Sequence, residues 1–356
     1  MEPALAPLRD HIVAAHNSRT PLRLRGAGTK DFYGESLAGE PLDARDYNGI
    51  VDYEPSELVI TARCGTRLSA IESELAKCGQ FLPFEPPAFG GNPTIGGVVA
   101  AGLSGPRRAA AGAARDFVLG ASLLDARGQL LHFGGQVMKN VAGFDMSRLL
   151  CGSLGILGLI TQVSLKVLPK PRAEITLQFE VDAGAALDRF NRSRALPVPI
   201  SAASWHDGIA HLRLSGSPSA LRSAREALGG TALDDDPAQA WWRDLRNQAH
   251  PFFADAPGTK SRLWRMSLPA TAPLTVSGGD LIEWSGALRW LRSDAPAAAI
   301  RAMAETLGGT ATLWRGPRDG PMFHPLAPLN LELHRRLKRQ FDPNGIFNRG
   351  RLIAEI

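Results

Sequence analysis

The 356-residue sequence predicts an α+β or α/β protein built in two parts. Three observations carry this reading. Strand-like and helix-like patterns alternate through the first 80 residues. Three glycine turns, spread along the first half, each adjoin a strand pattern. A stiff break, Pro169-Lys170-Pro171, then separates this half from a region of different texture.

The elements follow in order. Leu5, Leu8, Ile12 and Ala15 fit one helical face, so the chain opens with a short helix. Pro21–Arg25 reads as a strand running into the first glycine turn, Arg25-Gly26-Ala27-Gly28-Thr29-Lys30. Ile50–Tyr53 and Leu58–Ala62 read as two more strands. On the next helix Leu68, Ile71, Leu75 and Cys78 share a face, with Thr66 or Ser69 as its cap and Gly79 at its end. Phe117–Leu124 and Leu130–Phe133 form a hairpin around Asp125-Ala126-Arg127-Gly128. Lys139–Asp145 leads into a short helix ending at Leu150. Leu159–Leu168 alternates as a strand. Beyond the break, Ile175–Val181, His211–Leu214 and Arg262–Leu268 are strands. Pro218–Leu228 and Pro296–Leu307 are helices, with Pro where a first turn tolerates it. A last helix carries Leu329, Leu333 and Leu337. Asp234-Asp235-Asp236 reads as a solvated turn.

Composition bounds the function. Hydrophobic residues make up 44% and charged residues 21%, as in ordinary globular proteins. The net charge is +5, yet no basic run is interleaved with aromatics, which argues against nucleic acid as a partner. A mildly basic surface suits small carboxylates. Cys64, Cys78 and Cys151 are odd in number and widely spaced, without a CxxC. That argues against a disulfide framework and against an iron–sulfur cluster held by this chain alone, and it points to a reducing cytoplasm. The first residues show no signal peptide, and no apolar run is long enough to predict a transmembrane segment.

The stretch from Pro86 to Gly120 is the most unusual. Six glycines lie between Gly90 and Gly105, mixed with Pro93 and Pro106, so no ordinary helix or strand is expected there. Bare amides facing a phosphate are one use of such a segment, and a plain irregular loop is the other. None of the three glycine turns has the GxxxxGK[ST] or compact GxGxxG form, which disfavours a nucleotide triphosphatase and a Rossmann domain. A ligand gripped by several separate backbone loops should be long and contain a pyrophosphate.

Taken in order, these segments resemble the FAD-binding domain of the vanillyl-alcohol oxidase superfamily, the PCMH-type fold. The matching pieces are Arg25–Lys30, Thr94-Ile95-Gly96-Gly97, Ser104-Gly105 with Arg115–Gly120, Lys139–Asp145, Gly152–Thr161 and the closing Phe341–Leu352. Within it, Arg25–Gly34 and Lys139–Leu149 are similar to the FAD-binding subunits of bacterial glycolate oxidases, middle components of three-subunit complexes.

The resemblance implies a PCMH-type flavin domain of two α/β subdomains over residues 1–171. It implies a smaller α+β cap domain with an antiparallel sheet over 172–325, and a segment over 326–356 that returns to the flavin domain. It implies FAD, a larger homologous FAD subunit, an iron–sulfur subunit, a small 2-hydroxy acid as substrate, and a cytoplasmic location peripheral to the inner membrane through the complex. Arg25 and Lys30 flank the amides of Gly26, Ala27, Gly28 and Thr29, which should bind the pyrophosphate. Thr94, Gly96 and Gly97 should approach the pyrophosphate or isoalloxazine, with Ser104 and Gly105 in the next turn. Asp116 either meets the flavin edge or fixes its loop. Gly155, Ile156 and Ile160 should line the adenine end, and Asn348 should reach the flavin.

Departures from the family pattern matter. No His or Cys occupies the first turn, so FAD should be non-covalent. The third turn reads Gly152-Ser153-Leu154-Gly155 without a carboxylate, and the closing motif reads Asn348-Arg349-Gly350 where relatives have NPG. The His-rich metal motif of related 2-hydroxy-acid dehydrogenases is missing after residue 171, so no metal is expected. Arg315 and His324 are the candidates for gripping a carboxylate and taking a hydroxyl proton. Three roles stay open on sequence: flavin-bearing relay subunit, stand-alone FAD-dependent 2-hydroxy-acid or alcohol dehydrogenase, and non-catalytic assembly subunit.

Overall fold

Two antiparallel sheets divide the chain. The computed structural model describes residues 2–135, 145–254, 261–274 and 280–356, so most of the Lys139–Asp145 motif lies outside the described residues. The first sheet has five strands in the order Ile50–Glu54, Val59–Arg63, Leu159–Lys166, Val118–Leu124, Leu130–Gly134. The second has eight, all drawn from residues between Ala173 and Arg315. A small parallel pair, Leu22–Arg25 with Glu40–Asp43, stands beside the first sheet.

Local sequence explains most of these elements. The Leu68–Lys77 helix buries Leu68, Ile71 and Leu75 at i, i+3 and i+7 against the first sheet. Each such side chain contributes roughly 1.5–3 kcal/mol by leaving water. In Ala173–Glu180, Leu177 and Phe179 face one way, into a core with the Ala183–Ser193 and Pro218–Leu228 helices. Thr176, just before them, faces the other way and accepts a hydrogen bond from Trp242 Nε1 at 2.9 Å.

The chain then returns. The Pro328–Phe341 helix packs Leu331, Leu337 and Phe341 on the first core. Behind it, Leu22 N donates to Ile346 O at 2.7 Å and Asn348 N donates to Leu22 O at 2.9 Å. The last residues thus lie along the first strand, more than 300 positions away in sequence.

Several expectations need correction. The glycine-rich stretch contains a true helix, Ile95–Ala101, capped by Thr94, whose Oγ1 accepts from Gly97 N. Its small residues let it lie close to the Leu159–Lys166 strand. Thr66 does not cap the Leu68–Lys77 helix, and neither does Ser69, which lies inside it. Arg67 holds that position, and Thr66 Oγ1 instead donates to Arg63 O at 2.7 Å. Asp234–Asp236 opens a helix, Asp235–Asn247, where carboxylates suit the first turn. Strands at Ile200–His206, Leu281–Glu283, Leu288–Ser293 and Thr310–Arg315 carried no clear alternation in sequence.

Candidate functional site

A cleft opens where the first strand, the Thr94 helix and the closing segment meet. It is a deep cleft, partly open to solvent. Three distant stretches wall it: 23–38, 93–101 and 154–160, with Asn348 and Arg351 between them.

The Gly26–Thr29 turn forms one wall. No hydrogen bond joins the amides of Gly26, Ala27, Gly28 or Thr29 to another described residue. Gly26 lies so close to Thr94 that a Cβ would run into Thr94 Oγ1. Glycine here is therefore a packing requirement between two walls. Gly96 is buried, its N donating to Cys64 O at 2.9 Å, while Gly97 stands at the helix start. The Cys64 thiol, pushed up to about 12 by burial, is an apolar part of the floor.

The walls are cationic. Arg23, Arg25, Lys30 and Arg351 line the cleft, with Asp31 as the carboxylate among its lining residues. The Nε atoms of Arg23 and Arg25 are buried without a hydrogen-bond partner. Burial lowers the Lys30 ammonium to about 8, and its Nζ finds Thr29 Oγ1 at 3.4 Å and the Phe89 ring at 5.6 Å. Arg351 spends its guanidinium on the carbonyls of Lys30, Asp31 and Tyr33, the last at 2.5 Å, and so fastens the turn. Free amides, two orphaned guanidinium nitrogens and an unneutralised lysine fit a pyrophosphate. Apolar walls from Leu154, Leu159 and Ile160 fit the flat rings at its ends.

Asn348 lines the cleft in another capacity than expected. Its Oδ1 accepts from Leu24 N at 2.7 Å and its Nδ2 donates to Leu154 O at 2.6 Å. The amide is spent on holding the first strand to the 154 turn. Gly155, at φ 75°, sits against it, and a Cβ there would lie 2.7 Å from Asn348 Nδ2.

Other expected residues lie outside the cleft. Ile156 is buried in the first core, and its carbonyl accepts from Lys338 Nζ at 2.7 Å. Asp116 is exposed and fastens its own loop, accepting from Ala113 N at 2.8 Å. Ser104 accepts from Ala114 N at 2.9 Å, and with Gly105 it lines a second, smaller pocket between the lobes. Arg315 donates to Phe253 O at 3.0 Å, and His324 sits 3.1 Å from Glu305 and accepts from Ala311 N. Neither lines either pocket. Sequence reasoning passed over Arg23 and Arg351. Arg23 had a signal, since Arg23 and Arg25 alternate onto one side of a strand; Arg351 had none.

A family model described as FAD binding domain matches residues 6–134. Over 350 residues the chain is 45% identical to glycolate oxidase subunit GlcE of Escherichia coli (strain K12), covering 98% of this chain and 97% of that protein. The chain belongs to the GlcE family. It is an FAD-binding oxidoreductase, with FAD as its cofactor. Glycolate oxidase subunit GlcD of Bacillus subtilis (strain 168) is 33% identical over 165 residues, 45% of this chain and 34% of that one. An alkyldihydroxyacetonephosphate synthase superposes at a TM-score of 0.65 with 15% identity, over 97% of this chain and 75% of that one. That likeness is one of fold and runs along nearly the whole chain. Among the described residues no helix is long and apolar enough to cross a membrane.

Proposed function

We propose that this chain is the FAD-binding subunit of a glycolate oxidase complex that oxidises glycolate to glyoxylate. Its partners are a larger homologous FAD subunit and an iron–sulfur subunit that receives the electrons. The observation that carries this reading is the 45% identity along nearly the whole of a glycolate oxidase subunit, cleft included. FAD, when bound, supplies a two-electron acceptor. The chain's own residues do the holding: the Gly26–Thr29 amides, Arg23, Arg25 and Lys30 take the pyrophosphate, Thr94, Gly96 and Gly97 give close approach, and Gly155 and Ile160 line one end. Three scattered cysteines cannot supply the usual four thiolates of a cluster, so the acceptor cluster belongs to another chain. The complex works in the cytoplasm, against the inner membrane through its partners.

Two measurements test this. Purified protein should carry the absorption spectrum of oxidised flavin, released intact by denaturation as expected for non-covalent FAD. It should also co-purify with a second flavoprotein and an iron–sulfur protein. A colourless chain that takes up no added FAD would overturn the flavin role. Full flavin reduction by glycolate in the isolated chain would favour a stand-alone dehydrogenase instead.

A further inference from the structure

The second pocket lies between the lobes and is small, with room for only a few heavy atoms. Its cap-side wall is one face of the eight-stranded sheet. Arg265 lies opposite Trp290, and Glu283 lies opposite Leu288 two residues away, so all four share that face. Thr312 lies opposite Arg265, so Trp314, two residues on, faces the same side. There its ring centroid is 5.2 Å from that of Trp290. Leu103 and Ser104 of the flavin lobe close the other side.

Arg265 is anomalous in this setting. Its guanidinium lies 5.1 Å from the Trp284 ring and 5.9 Å from each of the Trp290 and Trp314 rings. Among the described residues no hydrogen bond or ion pair to it is found. Ring faces offset part of the desolvation of a cation but leave its five donors unused. Glu283 is buried nearby, and its Oε1 accepts from Trp290 Nε1 at 2.8 Å. Burial pushes its carboxyl up to about 7. The two opposite charges thus share a pocket without touching. Glu283 is buried and Arg265 half-buried, and charges so far withdrawn from water are normally paired, so the gap between them calls for a molecule with an anionic end and a hydroxyl donor.

We propose that this pocket binds a small 2-hydroxy monocarboxylate, with Arg265 taking the carboxylate in a two-pronged grip and Glu283 accepting the hydroxyl hydrogen. The assignment rests on the reading of the chain as a glycolate oxidase subunit and adds that this subunit itself holds the acid. Arg265 and Glu283 stand outside the flavin cleft, so their substitution should leave FAD content unchanged.

The test is calorimetric titration of the FAD-loaded full chain, without oxygen, using glycolate, acetate and the neutral glycolamide. Glycolate should bind best, acetate more weakly, and glycolamide not detectably. Arg265→Gln should weaken glycolate and acetate alike by roughly 10- to 100-fold, with partial recovery in Arg265→Lys. Glu283→Gln should weaken glycolate and leave acetate within about twofold. On the parent protein, glycolate should shield Arg265 from phenylglyoxal, as mapped by mass spectrometry; this holds the test open if Arg265→Gln fails to fold. The proposal is overturned if glycolate and glycolamide bind equally, if Arg265→Gln keeps parental affinity, or if Arg265 is not shielded. A yellow chain that ignores glycolate sinks this pocket alone, whereas a chain that takes no FAD sinks the underlying reading.

Discussion

At Gly26 the backbone of the first strand rests on the Thr94 side chain. Gly26→Ala must push these two cleft walls apart. We expect the substitution to weaken FAD binding by at least roughly tenfold, with a stability loss of about 1–3 kcal/mol from overpacking. Flavin retained after gel filtration, with affinity from flavin fluorescence quenching, measures this. Parental FAD content would refute it. The first glycine turn was legible because glycine-rich bends beside strands have few other physical causes. The work of Asn348 was not legible. Sequence pointed to the residue, but its amide bonds to Leu24 N and Leu154 O depend on chain segments hundreds of positions apart. Arg315 and His324 were chosen for their chemistry, and chemistry alone says nothing of where a side chain is spent.

Among the elements, the Pro328–Phe341 helix has the clearest internal lock. Lys338 Nζ donates to Asp342 Oδ2, Ile156 O and Phe347 O, each at 2.7 Å. Asp342 in turn accepts from Ile346 N and Phe347 N, setting the path that leads to Asn348. Burial lowers the Lys338 pKa, and the Asp342 charge opposes that shift. Asp342→Asn removes the charge partner of a buried ammonium. It should cost about 3–5 kcal/mol, read from the urea midpoint, and FAD affinity should fall with it. An unchanged midpoint would show the pair to be dispensable. The helix itself was readable from its leucine spacing, but Leu329 and Leu333 stand exposed, and Leu331, Leu337 and Phe341 make the packed face. The Ile95–Ala101 helix was not readable, because two glycines depress its propensity and only packing against Cys64 and the first sheet rescues it.

The two lobes are joined at the scale of the whole molecule by an ion network around buried Arg107 and Arg213. Glu85, from the flavin lobe, accepts from Arg107 N and from Arg213 Nη2 of the cap sheet, both at 2.8 Å. Arg107 reaches across to Glu174, which is also held by Ser215. Glu85→Leu strands the Arg213 charge at the seam. The expected result is a calorimetric trace split into two transitions, one per lobe, and faster proteolysis near Pro169–Pro171. One transition at the parental temperature would count against this coupling. By itself the sequence determined the mixture of helix and sheet and the glycine bends that adjoin strands, because each is written in local periodicity and backbone freedom. Only the tertiary structure decided which charges converge. Arg23 and Arg351 meet at the cleft, Arg265 and Glu283 share the second pocket, and Ile156 and Asp116 turn away. Convergence depends on how separate cores pack, and no short stretch of residues encodes that.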